Sequence, residues 1–312
     1  MRYIIGVDGG GTKTEIVVCT PAGDIVAREI GSSSNPIDIG NEQMKEVICS
    51  LIEKALPQDC DSADIGLGIS GIFTAGSENF LCEKVKEKFP VFEHIVVYSD
   101  KNSSLNCAYD NDGCIVILGT GCVGAVKKNG SIKDIGGGGY LVDCGISGFD
   151  LGSEVLNVAL SVEDGRIEKS IIADLFYEKT GESVRAHLKR VYALGKSYIA
   201  SFAPIAFDAL SQGDEAAQQV LQKCSLEFEK LLWAVYRAWG EKTCEITLFG
   251  SVSKRFDVIK QFLSEEIQNS ITFKMPQYPI IYGLMKDFIN EKDFAKTFSR
   301  AYIKDNEDRS SR

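Results

Sequence analysis

The most constraining feature of this chain is a glycine-bearing hairpin pattern that occurs twice. RYIIGVD (residues 2–8) reads as a buried strand and runs straight into Gly9-Gly10-Gly11-Thr12. TEIVVCT (14–20) and DIVAREI (24–30) are also strand-forming, with a turn at Pro21-Ala22-Gly23-Asp24 between them. GSSSNPIDIG (31–40) reads as a polar loop. Apolar residues at helical spacing follow over 41–56, then a strand (63–70), a helix (78–89), the strand HIVVYSD (94–100) and a short helix (101–110). From residue 113 the order begins again. CIVILGT (114–120), CVGAVKK (122–128) and SIKDI (131–135) form a second meander, with Asn129-Gly130 as its hairpin turn.

A glycine-rich stretch (136–148) and several helical segments (150–240) come next. Strand, helix and strand patterns then run over 244–250, 252–268 and 270–275, and 281–303 is mostly helical. The charged tail 304–312 is expected to fray. The repetition implies a duplicated α/β architecture with domains at 1–112 and 113–312, the last helix free to return to the first domain. Such an arrangement places ligands near strand ends, in the cleft between the copies.

Composition narrows the function classes. Of the 312 residues 44% are hydrophobic and 25% charged, enough for two soluble cores, and the formal net charge is −10. An acidic chain with no basic run is unsuited to sequence-independent nucleic-acid binding. No apolar stretch is long enough to span a bilayer, and residues 1–10 enter a strand without the apolar core of a signal peptide, so a cytoplasmic protein with no membrane partner is expected. The ten cysteines are scattered, with no C-x-x-C pair, and read as free thiols. With only His94 and His187 present, a histidine-rich metal site is not expected, and His94 reads as structural.

Three readings of the glycine turns compete. A P-loop needs G-x-x-x-x-G-K-S/T opening a helix, but VDGGGTKT lacks that spacing and leads into a strand. Gly119-Thr120-Gly121-Cys122-Val123-Gly124 matches G-x-G-x-x-G, yet it continues as a hairpin, which removes the dinucleotide-binding context. The third reading is a hairpin tip. There glycines at positive φ let backbone amides cradle anionic oxygens, with Thr12, Lys13 and Thr120 adding hydroxyls or charge. Tight turns alone would explain one tip, but two at matching positions favour a shared phosphate clamp. Asp8, at a strand end beside the first tip, then suits Mg2+ or a turn cap. Asp100, also at a strand end, suits a proton acceptor for an attacking hydroxyl or the N-cap of the following helix.

GVDGGGTKTEIVV, Gly68-Ile69-Ser70-Gly71, the strand-ending Asp100, LGTGC and IGGGGYLV together resemble the N-acetylglucosamine kinase and BadF-type ATPase family, of the acetate and sugar kinase/actin superfamily. The motifs run to about residue 152 and continue more weakly through LFGSVSKRF (248–256) and PIIYGL (279–284). The resemblance implies a duplicated ribonuclease-H-like (actin-like ATPase) fold of two domains around a nucleotide and sugar cleft. It implies ATP and Mg2+ as cofactors and a homodimer. Gly10, Gly11, Thr12 and Lys13 match its first phosphate loop, Gly119, Thr120 and Gly121 its second, and Gly250 and Ser251 its adenosine-facing glycine pair. Asn35, Ser70, Gly71, Asp100, Cys122, Gly137, Gly138 and Asp143 match its sugar pocket, with Asp100 as catalytic base. One departure stands out. Cys144 occupies the place of the family's sugar-binding Asp, Gly145 that of its Glu, and Asp143 lies one position early.

The activity implied is transfer of the γ-phosphate of ATP to an amino-sugar hydroxyl, at C6 by the family's habit. The alternatives are a non-kinase ATPase that serves an iron–sulfur partner, against which the scattered cysteines argue, and an actin-like assembly protein or nucleotide-dependent sugar sensor without turnover.

Overall fold

The computed structural model describes residues 1–310. The chain forms two compact units, Met1–Asp110 with the segment from Pro276 onward, and Asn111–Met275. The first runs through β1 (Arg2–Gly9), β2 (Lys13–Cys19), β3 (Ile25–Ser32), α1 (Pro36–Ile39), α2 (Asn41–Ala55), β4 (Ser62–Ile69), α3 (Glu78–Lys88), β5 (Phe92–Tyr98) and α4 (Asp100–Ala108). The second comprises β6 (Gly113–Leu118), β7 (Cys122–Lys128), β8 (Ser131–Gly136), α5 (Gly148–Glu163), α6 (Ile171–Thr180), α7 (Val184–Ala200), α8 (Ala203–Ser211), α9 (Glu215–Trp239), β9 (Cys244–Phe249), α10 (Phe256–Ile259), α11 (Glu265–Ser270) and β10 (Ile271–Lys274). The chain then rejoins the first unit with α12 (Ile280–Met285) and α13 (Phe294–Ser310).

The two sheets share one topology. Their strand orders are β3-β2-β1-β4-β5 and β8-β7-β6-β9-β10. In each, the first three strands are antiparallel and the rest parallel to the first. This is the duplicated α/β architecture that the repeated pattern implied, and the two-domain, actin-like fold that the family resemblance implied. The parallel strands of a sheet covered on both faces read as continuous apolar runs. Accordingly, Tyr3, Ile5 and Val7 of β1 pack with α2 and α3, and Ile4 packs with α12 and α13.

Glycines bring α12 onto that second face. A Cβ on Gly66 would lie 2.0 Å from the Leu284 carbonyl oxygen, on Gly6 2.8 Å from Ile281, and on Gly68 2.6 Å from Leu284. A Cβ on Gly283 of α12 would in turn lie 2.2 Å from the Ser103 carbonyl oxygen of α4. The helix therefore seats on bare backbone, which explains how a segment so distant in sequence completes the first core.

In the second unit α5 through α9 and the sheet share one core that includes Val116, Leu118, Phe202, Phe228 and Leu232. Gly152 admits the Ile199 carbonyl of α7, 1.9 Å from where a Cβ would stand. α7 is interrupted at Gly195 (φ 64°, ψ −147°), a conformation open essentially to glycine alone. Buried His187 ties its two halves, with Nδ1 2.7 Å from Glu182 Oε2 and Nε2 2.6 Å from the Tyr198 hydroxyl.

Several local expectations are corrected. The 31–40 loop contains α1, whose first turn Asn35 caps and Pro36 starts. The single helix expected over 252–268 is broken, because Leu263 is extended (ψ 143°) and Ser264 caps a new helix. The helix expected over 101–110 starts at Asp100, with Ser99 as its N-cap. The tail does not fray over its described part. α13 continues to Ser310, and Asp305 pairs with both Arg28 (2.7 Å) and Arg309 (2.8 Å), while residues 311–312 lie outside the described residues. Among the described residues no helix is long and apolar enough to cross a membrane. Asn129 (φ 51°) and Gly130 (φ 76°) form the hairpin turn read from sequence.

If backbone contact at Gly66 seats α12, Gly66→Ala lowers stability by about 3 kcal/mol, the scale of a forced overpacking. Urea unfolding checks this, and a midpoint equal to wild type would contradict it.

Candidate active site

The candidate residues gather at the C-terminal edges of the parallel strands in each sheet. In the first unit, Asp8 lies near the end of β1, Ser70 and Gly71 follow β4, and Asp100 follows β5. The β1–β2 tip closes with the Gly10 amide donating to the Lys13 carbonyl at 2.9 Å. The 33–35 segment lies against it. The Ser33 hydroxyl (3.0 Å) and the Ser34 amide (3.3 Å) both donate to the Gly10 carbonyl. On the other side the Ser70 amide donates to the Gly9 carbonyl at 2.8 Å. A Cβ on Gly71 (φ 78°) would lie 2.5 Å from Asn35 Oδ1, so Asn35, Ser70 and Gly71 do come together beside the tip.

The expectation of positive φ at the tip glycines is corrected. None of Gly10, Gly11, Gly119 or Gly121 is left-handed. These turns close without it, and the glycines supply bareness instead. Nothing lies within 4 Å of a Cβ built on Gly119, and on Gly10 the nearest atom is the Lys13 carbonyl oxygen, 3.7 Å away. Each tip thus exposes backbone that a ligand can reach.

Asp8 pairs directly across β1–β2 with Glu15, so the two side chains share a face. The Asp8 carboxyl is pushed up to about 7, first by burial, then by the Glu15 and Asp100 carboxylates, with Lys13 opposing. Buried Glu15 accepts from Arg28 Nε (2.8 Å) and from the Tyr302 hydroxyl (2.7 Å), and Lys13 Nζ approaches its other oxygen at 3.4 Å. Ser99 accepts from the Asn102 amide as N-cap of α4, so the capping alternative for Asp100 falls to its neighbour. Asp100 occupies the first helical position, and its Oδ1 accepts the Lys101 amide at 2.9 Å. Ser103 and Ser104 donate to its carbonyl.

In the second unit the Gly119 amide closes the tip by donating to Gly121 (2.9 Å). The first two amides of α5, at Gly148 and Phe149, donate to the carbonyls of Gly119 (2.7 Å) and Thr120 (3.2 Å), and a Ser147–Asp150 capping box fixes the same helix end. Gly250 (φ 94°) fits only as glycine, because a Cβ would stand 2.3 Å from the Leu118 carbonyl oxygen. Ser251 is exposed beside it. Cys122 lies against Gly145, and burial pushes its thiol up to about 12, so it stays neutral. A Cβ on Gly137 (φ 76°) would lie 2.7 Å from Val123 Cγ2. Asp143 turns inward on its own loop, accepting the Gly138 amide at 3.2 Å, while Cys144 is exposed.

Sequence reasoning missed Glu15, Ser33 and the α5 terminus. Strand alternation signalled the first, and Ser147-x-x-Asp150 the last. Among the described residues, the grouping with metal-ligand spacing is Asp64, Glu93 and His94. It lies near the opposite strand ends, away from Asp8, and its Asp64 already bridges Arg2 and His94 at 2.7 Å each.

Residues 5–285 match the model of the BadF/BadG/BcrA/BcrD ATPase family. The chain belongs to this family. It is 27% identical over 300 residues to the N-acetylmuramic acid/N-acetylglucosamine kinase of Clostridium acetobutylicum, covering 90% of this chain and 94% of that protein. It is 26% identical to the glucosamine kinase GspK of Vibrio cholerae, covering 91% and 95%. A solved protein of Chromobacterium violaceum, described provisionally as an N-acetylglucosamine kinase, superposes with a TM-score of 0.75 at 26% identity, covering 92% of this chain and 98% of that one. A ROK family glucokinase of Streptomyces griseus shares the fold at 18% identity (TM-score 0.62, covering 91% and 98%).

The Asp8 environment has a thermodynamic consequence. A carboxyl whose folded pKa is raised favours folding in its protonated form. That contribution is intact below the unfolded value near 4 and is lost as pH climbs through about 7. Without metal or nucleotide, Asp8→Asn should therefore gain stability over wild type between pH 5 and pH 8. Urea midpoints at the two pH values measure this, and a gap that narrows as pH rises would contradict it.

Proposed function

We propose that this protein is an ATP-dependent amino-sugar kinase that transfers the γ-phosphate to a sugar hydroxyl, that at C6 being favoured. One observation carries the reading. Both sheets present an open glycine tip at the same topological position, and the first tip has two carboxylates, Asp8 and Asp100, beside it. Open glycine backbone that phosphate oxygens can approach, with a proton acceptor alongside, suits phosphoryl transfer, which depends on positioning and charge stabilisation. The relatives' activities support the same substrate class.

In this reading Gly10, Gly11, Thr12 and Lys13 bind phosphate oxygens at one tip, and Gly119, Thr120 and Gly121 at the other. Gly250 and Ser251 approach the adenosine. Asn35, Ser70, Gly71, Cys122, Gly137 and Gly138 line the sugar pocket. The acceptor hydroxyl passes its proton to Asp100 as its oxygen attacks the γ-phosphorus in line, and ADP leaves. Lys13 and the tip amides stabilise the charge that spreads over the transferred group.

The donor set near Asp8 consists of carboxylate oxygens, and the Asp8 carboxyl is raised first by burial and then by the neighbouring Glu15 and Asp100 carboxylates, a setting that suits a hard divalent cation. Asp8 would hold Mg2+, directly or through water, and there the ion would supply positive charge against the phosphate chain. With Asp143 committed to the Gly138 amide, N-acetylglucosamine is one candidate among several amino sugars. A homodimer and a cytoplasmic setting belong to the same proposal.

The test is an ADP-release assay across glucosamine, N-acetylglucosamine, N-acetylmuramic acid, N-acetylmannosamine and glucose. Turnover should require an amino sugar and cease with EDTA. Sugar-independent hydrolysis would favour the ATPase alternative. Asp100→Asn should lower kcat by about a thousandfold, the scale of a lost general base, with an unchanged unfolding midpoint. Turnover equal to wild type would remove Asp100 from this role.

A further inference from the structure

The two tips differ in charge. The first carries Lys13 within its own hairpin, whereas Gly119-Thr120-Gly121-Cys122 brings no cation. A lysine reaches this second tip from elsewhere in the same unit. A Cβ built on Gly121 would stand 3.5 Å from Lys196 Nζ. Lys196 is half-buried and follows Gly195 directly, so the break in α7 redirects the helix immediately before it.

Two further contacts fix its place. One turn on, the Ile199 carbonyl and Ala200 rest on Gly152 and Gly148 of α5. Gly148 is the residue whose amide holds the Gly119 carbonyl at 2.7 Å. Lys196, α5 and the tip thus form one continuous packed unit, further fixed by the His187–Tyr198 hydrogen bond behind it. Among the described residues no carboxylate pairs with Lys196, and its one recorded neighbour of charge-binding type is the Tyr140 ring, 5.8 Å from Nζ to centroid. That distance is at the outer limit of a cation–π contact. A half-buried ammonium without a carboxylate partner, held beside the open backbone of the tip at Gly121, is arranged for an anion.

We propose that Lys196 is a phosphate-binding residue of the second tip, supplying there the positive charge that Lys13 supplies at the first. The ligand is the phosphate chain of the nucleotide, so the inference rests on the nucleotide-binding part of the proposed function. A kinked helix does here what a neighbouring sequence position does in the first unit.

The experiment is calorimetric titration of the full chain with MgADP and, separately, with adenosine, for wild type, Lys196→Met, Lys196→Gln and Lys196→Arg. The neutral variants should bind ADP about tenfold more weakly, or worse, the scale of a lost charged hydrogen bond, with adenosine affinity unchanged. Lys196→Arg should keep ADP affinity close to wild type, because the charge is retained. Equal ADP affinity in the neutral variants would overturn the proposal, as would a parallel loss of adenosine affinity, which marks a structural role. Gln keeps length and polarity, so it carries the test if Met at this position impairs folding. Wild-type protein that binds no ADP would instead overturn the nucleotide reading itself, a failure visible before any variant is compared.

Discussion

Each glycine tip is positioned by a contact too close for a side chain at the glycine. At Gly250 a Cβ would stand 2.3 Å from the Leu118 carbonyl oxygen, and at Gly9 one would stand 2.1 Å from Ser34 Oγ. Backbone at Gly250 and the Ser34 and Ile69 side chains at Gly9 therefore brace the tips from behind, while the faces at Gly10 and Gly119 are left bare. Rigidity and access come from the same residue type for opposite reasons. A loop braced in this way meets an anion with little ordering cost, which makes preorganised amides effective.

Charge is arranged on that frame in layers. Glu15 is buried, yet Arg28 and Tyr302 satisfy it, and Asp305 satisfies the far side of Arg28. The negative charge nearest the first tip is thus held from below by α13, whose residues arrive from the far end of the chain. Asp8, with no comparable partner among these, is raised to about 7, first by its burial and then by the Glu15 and Asp100 carboxylates. A carboxyl poised near neutrality exchanges its proton for a cation at little cost, which suits the Mg2+ role proposed for Asp8.

Much of this was legible in sequence. The duplicated meander, its Asn129-Gly130 turn and the strand-ending Asp100 were readable because alternation, turn chemistry and strand-end position are local signals. The seat of α12 was not, because the glycines that admit it, Gly6, Gly66 and Gly68, look like interruptions of strands until the partner helix is known. Nor was the break at 263–264, where tertiary packing overrides a continuous helical pattern, or the role of Glu15, which depends on cross-strand register. The expectation of left-handed glycines failed because sequence cannot separate a glycine needed for φ from one needed for the absence of Cβ.

The central proposal is that each bare tip binds nucleotide phosphate. Amide hydrogen exchange read by mass spectrometry, with and without a Mg2+-bound non-hydrolysable ATP analogue, tests it most directly. The account requires slowed exchange in peptides covering 10–13 and 119–121 together, at the same analogue concentration. Protection at one tip alone, or at neither while the analogue is bound, would contradict it.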